Sequence, residues 1–189
     1  MTDSDIISNF LKSVDVKSNE KVFSEFQLVL KVLRYPKKQI VLKENQIGQF
    51  AYLIIEGAAR SYYLHNGLEV HTWFSFEGEF IGSLRNHDGL PSRETVELLE
   101  DSILLSFDMM RIKELMKIFP EITNFIYPVI NEYAQFLEDR LFYTHLKSAK
   151  EKYDALIAYQ PQVLRRVPLT FIASYLGISR ETLSRIRAK

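Results

Sequence analysis

Between Ile6 and Leu33 apolar residues recur at intervals of three and four: Ile6, Ile7, Phe10, Leu11, then Val22, Phe23, Phe26, Val29, Leu30 and Leu33. That spacing predicts helix over residues 4–34, closed by Pro36. From Gln39 to Phe107 the period changes. QIVL, AYLIIEG, AARSYYL, EVHTWFSF, ETVELL and SILLSF are short, β-branched or aromatic, and separated by turn residues, so each predicts a strand. Asn66-Gly67 predicts a type I′ hairpin, whose two turn residues both need positive φ. Six or more short strands in about 70 residues predict a barrel, roll or sandwich.

Helix resumes after Asp108, a natural N-cap for MMRIKELMKIF. Pro120 stands where a first helical turn accepts proline, and it opens PEITNFIYPVINEYAQFLEDRLFYTHLKS. In that stretch Ile122, Ile126, Val129, Tyr133, Phe136 or Leu137, and Arg140 or Leu141 step along one stripe. The stripe is either a core face or a seam against a second copy, with a kink expected at Pro128. SAKEKYDALIAYQP predicts another helix, ended by Pro161.

PLTFIASYL and SRETLSRIR then predict two short helices with the proportions of a helix-turn-helix. Ile172, Ala173 and Leu176 face inward on the first, Gly177 supplies a left-handed turn and Ile178 plugs it. Ser179 caps the second helix, which turns Leu183 and Ile186 to the core. Arg180, Glu181, Thr182, Ser184, Arg185 and Arg187 are left on the outer side. Arginine pairs bidentately with the guanine O6/N7 edge, glutamate accepts from cytosine N4, and Thr182 and Ser184 suit phosphate oxygens. A solvated amphipathic helix would share the charge but not the cap, the turn glycine and the inward residues.

Charge sharpens this picture. The 189-residue chain is formally neutral, yet after Pro161 six basic residues (Arg165, Arg166, Arg180, Arg185, Arg187, Lys189) face one acid, Glu181. Only this end suits a polyanion. Apolar residues at 47% and charged residues at 25% are those of a globular protein. No apolar run approaches the roughly 18 residues of a membrane helix, and MTDSDIISNF lacks a signal peptide's basic start, so a cytoplasmic protein without membrane partners is expected. The absence of cysteine excludes disulfides, thiolate catalysis and cysteine-ligated metal. His65, His71, His87 and His145 are scattered without metal-ligand spacing, and no cluster matches a metal-dependent β-roll enzyme. Trp73, Phe74, Phe76 and Phe80 are expected in the core, Tyr62-Tyr63 in the core or lining a pocket, and Glu97, Glu100 and Asp101 in a solvated turn. No catalytic set emerges.

IASYLGISRETLSRIR resembles the helix-turn-helix of the cyclic AMP receptor protein and FNR (Crp/Fnr) family of bacterial transcription regulators. AYLIIEGAARSYYLHNGLEVHTWFSFEGEFIG is similar to that family's β-roll, LLEDSILLSF to its closing strand, and the helix after Pro120 to its dimer helix. The resemblance implies an α+β fold: a cyclic-nucleotide-binding-like β-roll with flanking helices (1–119), a dimerisation helix and hinge (120–147), and a helix-turn-helix DNA-binding domain (148–189). It implies a homodimer on palindromic double-stranded DNA, contact with RNA polymerase, switching at the hinge near Thr144–Ser148, and no required cofactor. Ser179, Arg180, Glu181, Thr182, Ser184, Arg185 and Arg187 become the DNA-binding set, with Arg180, Glu181 and Arg185 on base edges. Many members continue into a β-hairpin wing. This sequence stops at Lys189, so the wing is expected to be truncated or absent, with fewer phosphate contacts unless Arg165-Arg166 compensate.

In cyclic-AMP-responsive members a Gly-Glu pair holds the ribose, while an arginine and the hydroxyl residue after it hold the phosphate. Gly78-Glu79 match the first pair. The arginine position falls on Ser92, whereas Arg93 is one residue late and is followed by Glu94. A one-residue slip turns a strand side chain to the opposite face, and Glu94 repels phosphate. The loop from Glu79 to Ser92 is also longer than usual, and Leu137 and Glu138 replace the hydroxyl pair that meets the adenine. The effector-binding candidates are therefore Gly78, Glu79, Ser92 and Arg93, holding an effector other than ordinary cyclic AMP, or none. The alternatives are a cyclic-AMP regulator using Glu79 and Arg93, haem ligation through His71, and a β-roll interaction protein with little DNA binding.

Overall fold

The structure, a computed structural model, describes residues 2–13, 20–145 and 148–188. Two helices, α1 (Asp3–Ser13) and α2 (Glu20–Leu28), lead into a roll of eight strands. These are β1 (Leu30–Tyr35), β2 (Ile40–Leu42), β3 (Phe50–Glu56), β4 (Ala59–His65), β5 (Leu68–Ser75), β6 (Phe80–Ile81), β7 (Thr95–Leu98) and β8 (Ser102–Asp108), with a one-turn helix α3 (Leu84–His87) after β6. The remainder is helical: α4 (Met109–Ile118), α5 (Ile122–Thr144), α6 (Ala149–Tyr159), α7 (Val163–Arg166), α8 (Leu169–Leu176) and α9 (Arg180–Arg187).

The strands form two four-stranded antiparallel sheets, ordered β1-β8-β3-β6 and β2-β7-β4-β5. Between them lie Leu42, Tyr52, Ile54, Trp73, Ile81, Val96, Leu98 and Leu104. All six expected strands are present. The Asn66-Gly67 turn has φ of 52° and 79°, as a type I′ hairpin requires.

The helix expected over 4–34 does not extend that far. It ends at Leu28, and residues 30–35 are strand β1, paired with β8 from Leu30 opposite Phe107 to Tyr35 opposite Ser102. Leu30 and Leu33 satisfy a helical period, but β8 offers a full ladder of backbone partners, and that pairing overrides local spacing.

Three packing centres hold the chain together. Besides the roll interior, α1, α2, α4 and the start of α5 cover β1 and β8 through Phe10, Leu11, Phe26, Phe107, Ile112, Ile122 and Phe125. Phe125 meets the rings of Phe10 and Phe26 edge-on at 5.3 and 5.6 Å. The third centre joins roll to tail: Ala58, Phe74, Phe76 and Leu99 pack with Leu156, Val163, Ile172, Leu176 and Leu183. Among the described residues no helix is long and apolar enough to cross a membrane.

Gly57, which ends the β3–β4 step, has φ +116°, and a Cβ there would lie 2.1 Å from Ser102 Oγ and 2.9 Å from Ser102 Cα. Gly57→Ala therefore combines a disallowed backbone angle with a clash against a central strand. A loss of about 2–4 kcal/mol in urea unfolding is expected; an unchanged midpoint would contradict this register.

Candidate nucleic-acid interface and roll pocket

Helix α8 stops at Gly177, whose φ of 67° and ψ of 34° are left-handed. Ile178 N–H donates to Ala173 O (3.0 Å) and Gly177 N–H to Ser174 O (3.1 Å), the paired bonds of a Schellman stop. Ser179 is extended, and its Oγ accepts from Thr182 N–H at 3.1 Å. Leu183 is fully buried and Ile186 half-buried, which fixes the rotation of α9.

That rotation leaves Ser179, Arg180, Glu181, Ser184, Arg185 and Arg187 exposed, while Thr182 is half-buried with its hydroxyl 3.2 Å from that of Ser179. Among the described residues none of the three arginines is in an ion pair. The Glu181 carboxyl is held below its usual range by its own amide and by Ser179, with Arg180 and Arg185 adding their charge. Lys189 lies outside the described residues.

The helix-turn-helix is docked on the roll at two arginines. Arg166 donates to both Glu77 oxygens at 2.6 and 2.7 Å and also to Glu100, with its guanidinium 5.1 Å from the Phe76 ring centre. Arg166 beside it holds the Glu77 carboxyl down at about 2. This corrects the expectation that Arg166 could join Arg165 on phosphate. Arg165 is exposed.

At the second junction buried Arg60 is sandwiched between the rings of Tyr62 and Phe171, each 4.3 Å away, and pairs with Glu69 and Glu97. Glu97 and Glu100 are thus junction residues rather than parts of a solvated turn, while Asp101 accepts from the Lys37 amide at 2.8 Å. His71 stacks on Phe171 at 4.4 Å, and Arg60 donates to its Nε2 at 2.9 Å. Burial, reinforced by Arg60, pushes the imidazole down to about 4, so it is neutral at physiological pH. With Nε2 occupied and its ring stacked, His71 has no face turned to a haem. Among the described residues no group of three potential ligands could hold a metal ion.

The four effector candidates do not converge. Ser92 is buried, but its Oγ is spent on Glu94: it donates to the carbonyl at 2.7 Å and accepts from the amide at 3.1 Å. Arg93 is exposed. Glu94 instead reaches inward, its carboxylate accepting from Trp73 Nε1 at 3.1 Å. The lengthened loop folds on itself through α3, where Arg85 donates to Pro91 O and Asn86 to Leu90 O, both at 2.9 Å.

Glu79 faces a cavity of about 360 Å³ between roll and α5, lined also by Trp73, Phe80, Phe125, Val129 and Phe136. Glu79 Oε1 accepts from Gln160 Nε2 at 3.3 Å, and the same Nε2 donates to Phe74 O at 3.2 Å. Sequence reasoning missed Gln160, which caps the C-terminus of α6 and meets Glu79 only through the fold. Tyr62 and Tyr63 do not line this cavity.

Helix α5 runs on through Pro128 and carries two apolar stripes. Ile122, Phe125, Ile126 and Val129 pack on the core, and Tyr133 and Phe136 contact Trp73. A second stripe, Tyr127 (68% exposed), Ile130 (43%), Ala134, Leu137 (43%) and Leu141 (62%), is open to solvent. Its alternating steps of three and four were legible in the sequence but were hidden by the core stripe. The side chain of Arg140 lies outside the described residues.

Comparison with known proteins fits this architecture. Residues 32–119 match the cyclic nucleotide-binding domain family. FixK2 from Bradyrhizobium japonicum superposes with a TM-score of 0.71 at 20% identity, over 85% of this chain and 83% of that one. A Crp/Fnr-family protein from Eubacterium rectale gives 0.68 at 17% identity over 89% and 81%. The regulator CLP of Xanthomonas campestris, described as responsive to c-di-GMP, gives 0.68 at 15% identity over 90% of both chains. The chain thus has the fold of the Crp/Fnr regulators, with a match to the cyclic nucleotide-binding domain family over residues 32–119. No curated protein sequence matches it.

Within that Crp/Fnr frame Leu137 and Glu138 are both exposed, and the roll pocket is governed by Glu79. Burial pushes its carboxyl up to about 7; the Phe76 amide and Gln160 oppose this, while Glu132 adds to it. A carboxyl raised on folding stabilises most while protonated, so its contribution is full below about 4.5 and is lost as pH rises through about 7. Glu79→Gln stays neutral. Relative to wild type it is expected to gain on the order of 2 kcal/mol between about pH 4.5 and 8 in urea melts. A pH-independent difference would contradict this assignment.

Proposed function

We propose that the protein is a DNA-binding transcription regulator of the Crp/Fnr type that holds a palindromic operator as a homodimer and works by binding rather than catalysis. The observation that carries this reading is the outer face of α9. Arg180, Glu181, Ser184, Arg185 and Arg187 are exposed on a helix whose cap, stop and buried Leu183 fix its orientation. A helix presented in this way fits a major groove about 12 Å wide. Arg180, Glu181 and Arg185 are assigned to base edges, and Ser179, Thr182, Ser184 and Arg187 to the backbone.

The exposed stripe on α5 supports the dimer, since steps of three and four are the spacing of a coiled-coil seam. Two α9 helices about 34 Å apart would then read successive major grooves on one side of the duplex. In this reading residues 1–119 sense, 120–147 pair the subunits and 148–189 bind DNA. RNA polymerase is the further partner, and the cytoplasm the site of action. An effector other than ordinary cyclic AMP is supported by exposed Arg93 and by the carboxylate of Glu94 on Trp73. Switching would alter the spacing of the two α9 helices at the hinge near Thr144–Ser148, of which Leu146 and Lys147 lie outside the described residues.

Arg180→Ala and Arg185→Ala are each expected to weaken operator binding by about 1–3 kcal/mol and to relax preference at one position per half-site. Fluorescence anisotropy on operator variants reads both effects, and unchanged affinity in both mutants would remove the role given to α9. Replacing both Ile130 and Leu137 by aspartate puts two charges into the seam. Sedimentation velocity should then show a monomer with unchanged far-ultraviolet circular dichroism, and a persistent dimer would place the subunit contact elsewhere.

A further inference from the structure

The cavity beside Glu79 has a chemistry of its own. Its volume of about 360 Å³ falls in the range of small-molecule sites. Trp73, Tyr133 and Phe136 form an aromatic wall, with ring centroids about 6 Å apart, and Phe107, Ile112 and Val129 add to the apolar lining. Among the described residues neither lysine nor arginine lines it; His87 is its one basic side chain, set against the carboxyls of Glu79, Asp88 and Glu132. A phosphate placed there would meet three carboxyl groups with a single imidazole, His87, to set against them. At one end Glu79 and Gln160 together offer hydrogen-bond donors and acceptors from side chains that belong to different halves of the molecule.

We propose that this cavity binds an uncharged, mainly apolar small molecule carrying one neutral hydrogen-bonding group, such as an amide, arylamine or alcohol, which docks against Glu79 and Gln160. The inference rests on the effector reading above and names its ligand class. It also supplies a direct route to the DNA-binding end. Gln160 caps α6, and its side chain ties that helix to Phe74 O on β5 and to Glu79. A ligand group competing for Gln160 Nε2 would loosen that tie where α6 meets the roll.

Two probes that share one aromatic body test the idea. N-phenyl-1-naphthylamine is neutral with a single N–H; 1-anilinonaphthalene-8-sulfonate adds a fixed negative charge. Trp73 is the only tryptophan in the chain and lines the cavity, so binding is read as quenching of its emission. With the full chain, the neutral probe is expected to quench Trp73 saturably, one site per chain, and the sulfonate to bind at least tenfold more weakly. Cyclic AMP should not displace the neutral probe. Val129→Trp fills the cavity but adds a second emitter, so Val129→Phe and Gln160→Ala are the working variants. Each is expected to weaken the neutral probe at least fivefold while circular dichroism stays that of wild type.

Equal or tighter binding of the sulfonate, displacement by cyclic AMP, or binding unaffected in both variants would overturn the proposal. Operator binding, measured in parallel, separates the two readings. Saturable probe binding in a chain that shifts no DNA would uphold the cavity assignment and overturn the regulator. Operator binding without probe binding would do the reverse.

Discussion

Helix α5 must satisfy two apolar faces at once, and the rest of the molecule is arranged around that demand. Its inner face is covered by the roll, α2 and α4 through Phe125, Val129 and Phe136. Its outer face leaves Tyr127, Ile130, Leu137 and Leu141 in water. Exposed apolar side chains placed singly are ordinary, but a continuous stripe along one helix calls for a partner surface. A second copy laid along the same stripe is self-complementary by symmetry. The inner face thus fixes the roll to the helix, and the outer face would fix one subunit to another.

The C-terminal helical end is held to the roll by a small number of strong contacts rather than by a broad apolar interface alone. Arg166 bridges Glu77 and Glu100, and Arg60 is clasped by two carboxylates and two aromatic rings, one of them from α8. Phe171 and His71 add a stacked pair at 4.4 Å. Such junctions are directional: they define one docked arrangement well, and they weaken sharply when a single partner is lost. Gln160 extends the junction into the roll cavity, where its side chain reaches Glu79 directly from the end of α6.

Much of this was legible in the sequence, because local signals sufficed for it. The period-two stretches marked six strands, Asn66-Gly67 marked a hairpin, and Gly177 with Ser179 marked the stop and start of the last two helices. Local signals failed where distant partners decide. Leu30 and Leu33 kept a helical period but joined β8, and LRNH became a turn of helix only because Arg85 and Asn86 bind the loop that follows. Nothing local links Arg166 to Glu77, 89 positions earlier, or Gln160 to Glu79. The departure at Ser92-Arg93-Glu94 was legible as a pattern. Its consequence, a carboxylate turned inward on Trp73, required the fold.

In the proposed regulator, two copies of α9 would read two major-groove segments on one face of a duplex. Hydroxyl-radical and methylation-interference footprinting of the full chain, on DNA selected from a random pool, tests it most directly. The account predicts a palindromic sequence with two protected patches about one helical turn apart and interference at guanine N7 in each. A single protected patch, protection confined to the minor groove, or no selected sequence at all would contradict it.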